Sequence, residues 1–237
     1  QLQILDFTFK TVNARVPVVV GIGGNNTKEI VDNLKCFSLD KAIAVLSSSP
    51  NYNKPSQEGI FQHYKVLAEA SPKPIILYNV PGRTSSNITA ETTLRLAAID
   101  NIVGIKEASG NMVQCMHILQ DKPDDFLVVS GDDHLAMPLV ACGMTGVISV
   151  AANCFPKDFS AMMRAALKGD FDIARQLHFK CLSGIDLLFA ENNPAGVKAF
   201  LHELGLIENV VRLPLVPLSA NYHEAVKDFL KIFLLSA

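Results

Sequence analysis

The sequence lacks the marks of several protein classes. Its five cysteines, Cys36, Cys115, Cys142, Cys154 and Cys181, are odd in number, widely spaced and free of any C-x-x-C pair. That excludes a disulfide miniprotein and a cysteine zinc site, and leaves reduced thiols packed as small apolar residues. Positive charge is not in excess: 21 Lys and Arg face 23 Asp and Glu, a net −2. No broad basic field exists to gather nucleic acid or an anionic membrane, so neither partner is expected. No run nears the roughly 18 apolar residues of a membrane span, and the apolar end from Phe229 is broken by Lys231. The glycines Gly21, Gly23 and Gly24 are followed by Asn26, which leaves G-x-G-x-x-G incomplete. A Walker lysine, a G-x-S-x-G turn and an H-E-x-x-H pair are all missing. His63, His117, His134 and His178 stand scattered. Gln1–Phe9 has no basic flank ahead of an apolar core, so no secretory signal is read there and a cytoplasmic location is expected.

What is present describes a folded enzyme-sized chain. Of 237 residues 49% are hydrophobic and 19% charged, enough at this length to bury roughly 70–75% of the unfolded surface. Short apolar runs rich in Val and Ile predict strands at Val18–Gly21, Ala42–Leu46, Pro74–Tyr78, Ile102–Lys106, Phe126–Ser130 and Gly146–Val150. Near-continuous apolar strands suit a parallel sheet buried on both faces. Helices are predicted between them, capped by Ser56, Thr89 and Asn111, with another over His134–Cys142. Alternating β and α units run from about residue 18 to 150, within a first part read as residues 1–155. Residues 156–237 read as helices alone, near Pro156–Leu167, Phe171–Leu182, Pro194–Leu204 and Asn221–Phe233, with Pro starts and Gly ends. A doubly wound sheet and a (β/α)8 barrel both suit the first part.

Reactive groups of βα proteins gather where strands end. Lys106 ends an apolar strand, where desolvation favours the neutral amine, a nucleophile toward ketones. The alternative is a lysine that reaches solvent or pairs with Glu107. Tyr78 ends the strand one βα unit earlier, and adjacent barrel strands would bring its phenol to the amine as a proton donor and acceptor. Arg83 follows a Pro-Gly turn and offers a fork for a carboxylate. Tyr52 sits in a turn-rich loop, suited equally to an interface or a site. Asp132 and Asp133 read as caps at a strand end, and no metal site is expected.

Five ordered motifs, YNKPSQEG (52–59), YNVPGRT (78–84), GIKEASG (104–110), SGDD (130–133) and GVISVAAN (146–153), resemble the dihydrodipicolinate synthase and N-acetylneuraminate lyase family, its synthases most closely, over about residues 16–218. The resemblance implies a (β/α)8 TIM barrel with a C-terminal helical domain, residues 156–237 supplying the barrel-closing helix and that domain. It implies a class I aldolase-type condensation of pyruvate with L-aspartate 4-semialdehyde to 4-hydroxy-tetrahydrodipicolinate, on the way to diaminopimelate and lysine. No cofactor is implied beyond the covalent pyruvate imine on Lys106. Tyr78 and Tyr52 would relay protons, Tyr52 across the interface of a homodimer or a dimer of dimers. Arg83 would hold the semialdehyde carboxylate, and the backbone of Ile148 would line the pyruvate pocket. Asn25 and Glu29 match positions that contact a lysine effector.

Departures accompany the resemblance. The family's G-T-T-[GA]-E loop and first strand are missing, so six strands are read where the fold has eight. The segment 1–11 fits poorly as continuous sequence, and a junction near 7–9 is expected. Asn51 replaces an aromatic at the dimer interface. Gly196 replaces a proline, with only a loop effect expected. A sibling lyase acting on N-acetylneuraminate or another 2-oxo acid, or a non-catalytic regulatory homologue, are the alternative readings.

Overall fold

The computed structural model describes residues 1–235, which fall into two compact units, residues 1–131 and residues from 132 onward. The first unit alternates β1 (Val19–Gly21), α2 (Thr27–Cys36), β2 (Ala44–Ser48), α3 (Gln57–Ala70), β3 (Ile75–Asn79), the single turn α4 (Pro81–Thr84), α5 (Ala90–Ala97), β4 (Ile102–Glu107), α6 (Met112–Asp121) and β5 (Leu127–Ser130), after a leading helix α1 (Leu2–Val12). All four strand pairings are parallel, and the strand order is β1-β2-β3-β4-β5 with no reversal. A doubly wound sheet reverses its strand order at a switch point. Right-handed crossovers between successive neighbours instead keep every helix on one face, which is the wall of a (β/α)8 barrel.

Local chemistry sets the helix starts. Ser56, Thr89 and Asn111 accept from the backbone N–H of Gly59, Thr92 and Gln114, as their sequence positions predict. Asn26 caps α2 in the same way, on the N–H groups of Lys28 and Glu29. The glycine-rich stretch after β1 therefore leads into a capped helix. Gly104 lets β4 approach β5, because a Cβ there would lie 2.5 Å from the Leu127 carbonyl oxygen. α1 runs unbroken through Phe7–Phe9, so the expected junction is corrected. Its apolar side chains are spaced for a helix, and Lys10 bonds Asp6 one turn back at 2.6 Å.

The second unit is helical: α7 (Ala136–Ala141), α8 (Pro156–Leu167), α9 (Phe171–Phe189), α10 (Ala195–Glu203) and α11 (Ala220–Leu235). Phe155 sits at its centre, 5.3 Å from the Phe200 ring, 5.7 Å from Phe229 and 4.7 Å from Phe233. Gly169 and Gly205 take positive φ at helix ends. Two expectations are corrected here. Residues 146–150 form no strand; only Val147 makes an isolated bridge, followed by a 3₁₀ turn over Ala151–Asn153. An apolar run becomes a strand only when a ladder of hydrogen bonds runs along it. Gly196 lies inside α10, and a Cβ on it would fall 2.2 Å from the Leu188 carbonyl oxygen of α9. It permits close packing of the two helices and is not a loop substitution.

Candidate active site

Successive side chains of a strand point to opposite faces. Tyr78 and Lys106 are register partners on β3 and β4, as are Asn79 and Glu107 one residue on. The first pair thus shares one face and the second pair the other. Lys106 is buried, with 9% exposure, and its Nζ lies 4.3 Å from the centroid of the Tyr78 ring. Burial raises the Tyr78 phenol above its usual range, and the Arg83 charge pulls it partly back. The phenol therefore keeps its proton at neutral pH and stands ready to donate it.

Space for the lysine stem comes from Gly131, where a Cβ would lie 2.8 Å from Lys106 Cε and 2.7 Å from Ala108 Cβ. Glu107 is not turned toward the amine's face, which corrects the pairing alternative. Its carboxylate accepts from Asn79 Nδ2 at 2.9 Å, the Ser109 N–H at 2.7 Å and Gln114 Nε2 at 3.0 Å. This network escapes a reading of the sequence, because its members lie far apart in the chain and become neighbours only through the strand pairing. The faint local signal is four polar residues, Asn79, Asn87, Glu107 and Gln114, at positions the βα pattern reserves for the core.

The remaining candidates surround this pair unevenly. Arg83 stands on α4, exposed, where its charge reaches Tyr78. Tyr52 is 86% exposed with φ of 72°, and its N–H donates to the Thr84 carbonyl at 3.2 Å. The loop thus hangs from the residue after Arg83 while the ring projects outward. Asn25 and Glu29 flank the start of α2, and the Asn25 carbonyl accepts from Asn53 Nδ2 at 3.0 Å, next to Tyr52. A cavity of about 390 Å³ opens along β1, β2 and β3, lined by Gly23, Leu46, Ser48, Asn51 and Tyr78 among others. Ile148 belongs to the second unit and is half-buried. The segment after it is pinned by Asp133, whose Oδ2 accepts from the N–H groups of Val150 at 3.1 Å and Ala151 at 2.8 Å. Asp132 Oδ1 likewise accepts from the His134 N–H at 2.9 Å.

Comparison with known proteins accords with this geometry. The model of the dihydrodipicolinate synthetase family matches residues 1–233, so the first eleven residues, which the motifs leave out, fit the family as they stand. The chain is 53% identical over 220 residues to the 4-hydroxy-tetrahydrodipicolinate synthase of Flavobacterium psychrophilum, covering 92% of this chain and 75% of that protein. It superposes on the crystal structure of dihydrodipicolinate synthase from Aquifex aeolicus with a TM-score of 0.95 at 38% identity, covering 98% of this chain and 80% of the other. The chloride-inhibited dihydrodipicolinate synthase of Acinetobacter baumannii, solved with pyruvate, gives a TM-score of 0.94 at 41% identity over 98% of this chain and 80% of its own. A TIM-barrel wall, a buried lysine set against a tyrosine at the strand ends, and a match along nearly the whole length place the chain in the dihydrodipicolinate synthetase family.

Proposed function

We propose that the chain is a 4-hydroxy-tetrahydrodipicolinate synthase, with Lys106 as its Schiff-base nucleophile. The observation that carries the assignment of residues is the in-register pairing of a buried lysine with a half-buried phenol on adjacent parallel strands. In this reading the neutral Lys106 amine attacks C2 of pyruvate, and loss of water leaves an imine. The imine withdraws electrons from the methyl carbon, which gives up a proton and becomes an enamine. That carbon forms a new bond to the aldehyde carbon of L-aspartate 4-semialdehyde. The semialdehyde's own amino group then replaces Lys106 at C2, which closes the six-membered ring and frees the lysine. Each step moves a proton, and Tyr78 is the donor and acceptor beside the amine.

Arg83 is assigned to the semialdehyde carboxylate by its fork of donors and its closeness to Tyr78. Ile148 is assigned to pyruvate by its place in the GVISV motif alone. Tyr52 completes the relay of a second subunit in a homodimer or a dimer of dimers, which is consistent with its outward ring and left-handed backbone. Asn25 and Glu29, one loop away, are candidates for a lysine effector. The chemistry needs no group beyond the pyruvate imine. No helix among the described residues is long and apolar enough to cross a membrane; the cytoplasmic assignment rests on membership of a biosynthetic enzyme family.

Borohydride reduction in the presence of pyruvate tests the reading. The expected product is a stable adduct on Lys106, located by peptide mass, and none on Lys106→Met. Turnover with aspartate semialdehyde but not N-acetylneuraminate is the expected specificity. A wild-type protein that gives no adduct overturns the assignment.

A further inference from the structure

The polar face of the β3–β4 pair carries a second piece of the machinery. Glu107 and Asn79 are 1% and 0% exposed, and each immediately follows one of the two reactive residues. Asn79 Nδ2 donates to Glu107 Oε2 at 2.9 Å and to Oε1 at 3.2 Å, so a single amide bridges the two strands. Gln114 on α6 donates to the same carboxylate at 3.0 Å, and its Oε1 accepts from Asn87 Nδ2 at 2.9 Å. Asn79 Oδ1 accepts from the Ile88 N–H at 2.9 Å. The backbone joins in: the Ala108 N–H donates to the Asn79 carbonyl at 2.8 Å, and the Gly131 N–H to the Glu107 carbonyl at 2.7 Å. The Glu107 carboxylate can only accept, which fixes the amides of Asn79 and Gln114 as donors toward it.

A buried carboxylate is expensive unless its lone pairs are filled, and an apolar pair would hold two strands together without that cost. The arrangement gains direction instead. A ladder of backbone bonds alone tolerates small sliding and tilting, whereas a carboxylate held from three sides has one position. Because Glu107 and Lys106 share a peptide unit, as do Asn79 and Tyr78, locking the outer pair fixes the separation of the inner pair. We infer that Glu107, clamped by Asn79 and Gln114, is a positioning residue that sets the approach of the Tyr78 phenol to the Lys106 amine; this rests on the Schiff-base reading above. It touches no reacting atom and acts through its neighbour in the chain.

The test compares Glu107→Gln with Asn101→Ala. Glutamine keeps the shape but places an amide donor against the donors of Asn79 and Gln114, and flipping it only moves the conflict to Ser109. Asn101 anchors the opposite end of the same strand pair, its Nδ2 donating to the carbonyls of Ala68 at 2.8 Å and Ser71 at 3.2 Å, far from the amine. Both variants lower the melting temperature. Glu107→Gln is expected to cut the rate of borohydride-trapped pyruvate adduct and kcat by about ten- to hundredfold, with KM for pyruvate changing less. Asn101→Ala is expected to keep both rates within about twofold of wild type. Gln114→Met, which removes one donor and keeps the carboxylate, is expected to give an intermediate loss and serves where Glu107→Gln does not fold. Variants that trap the adduct as fast as wild type overturn the clamp alone. A wild type that traps none overturns the Schiff-base reading and the clamp with it.

Discussion

Tyr78→Phe removes one oxygen and little else, since the ring keeps its burial and its contact with Lys106 Nζ. The expected result is a fall in kcat of about 10²–10⁴ at nearly unchanged melting temperature, measured by steady-state assay beside a thermal scan. Gly131→Ala works from the other side of the amine. Its new methyl would meet Ala108 Cβ at 2.7 Å, which no rotamer change can move, and Lys106 Cε at 2.8 Å. The melting temperature should therefore fall and adduct formation slow together, which a melting curve and trapping kinetics read. Lys106 and Tyr78 are legible in the sequence because a lysine and a tyrosine at the ends of apolar strands break a strong pattern. The Glu107 carboxylate is not, since Glu beside Lys on a page reads as an ion pair, and only the two-residue period of a strand sends the two side chains apart.

Helices and strands were legible to different degrees. Caps are local, so Ser56, Thr89 and Asn111 mark their helices within a few residues, whereas α2 hides behind glycines that mimic a phosphate loop and is betrayed only by Asn26. Strand ends drift because pairing, which is nonlocal, decides them: β2 extends to Ser48 through its register with Tyr78. The run at 146–150 carries the strand composition without the ladder. Gly104→Ala should lower stability by ~1–3 kcal/mol in denaturant melts, because its Cβ meets backbone of β5 and cannot be relieved by a rotamer change. In the helical unit, His134 ties the turn before α7 to α9, its Nε2 lying 2.9 Å from Asp186. The hydrogen bond to Asp132, and secondarily Asp186, lifts its pKa from 6.5 to about 9 against the opposing effect of burial. A raised pKa in the folded state means stability that is fully present below pH 6.5 and lost as pH rises through about 9. The melting temperature of wild type should therefore exceed that of His134→Gln most at pH 6, and the gap should close above pH 10.

Assembly of the whole enzyme lies furthest from the sequence. The β/α alternation points to a parallel sheet, but the choice between an open sheet and a barrel wall rests on strand order, which composition does not encode; the family motifs and then the pairing β1-β2-β3-β4-β5 supply it. Oligomerisation is likewise unreadable from one loop, yet it makes a sharp prediction. If Tyr52 serves a neighbouring subunit, mixing Tyr52→Phe with Lys106→Met should regenerate one native site per mixed dimer. Random exchange then restores about a quarter of wild-type activity, whereas a tyrosine acting within its own subunit restores none.

The separation of the phenol, the arginine and the amine onto three different chain segments, β3, α4 and β4, has an evolutionary consequence. In the proposed assignment the keto acid is captured by β3 and β4, while the choice of aldehyde rests on a four-residue turn, Pro81–Thr84. Descent can rewrite that turn and recruit a new acceptor without relearning how to make the nucleophile, so diversification within such a lineage should concentrate there and spare the strand pair.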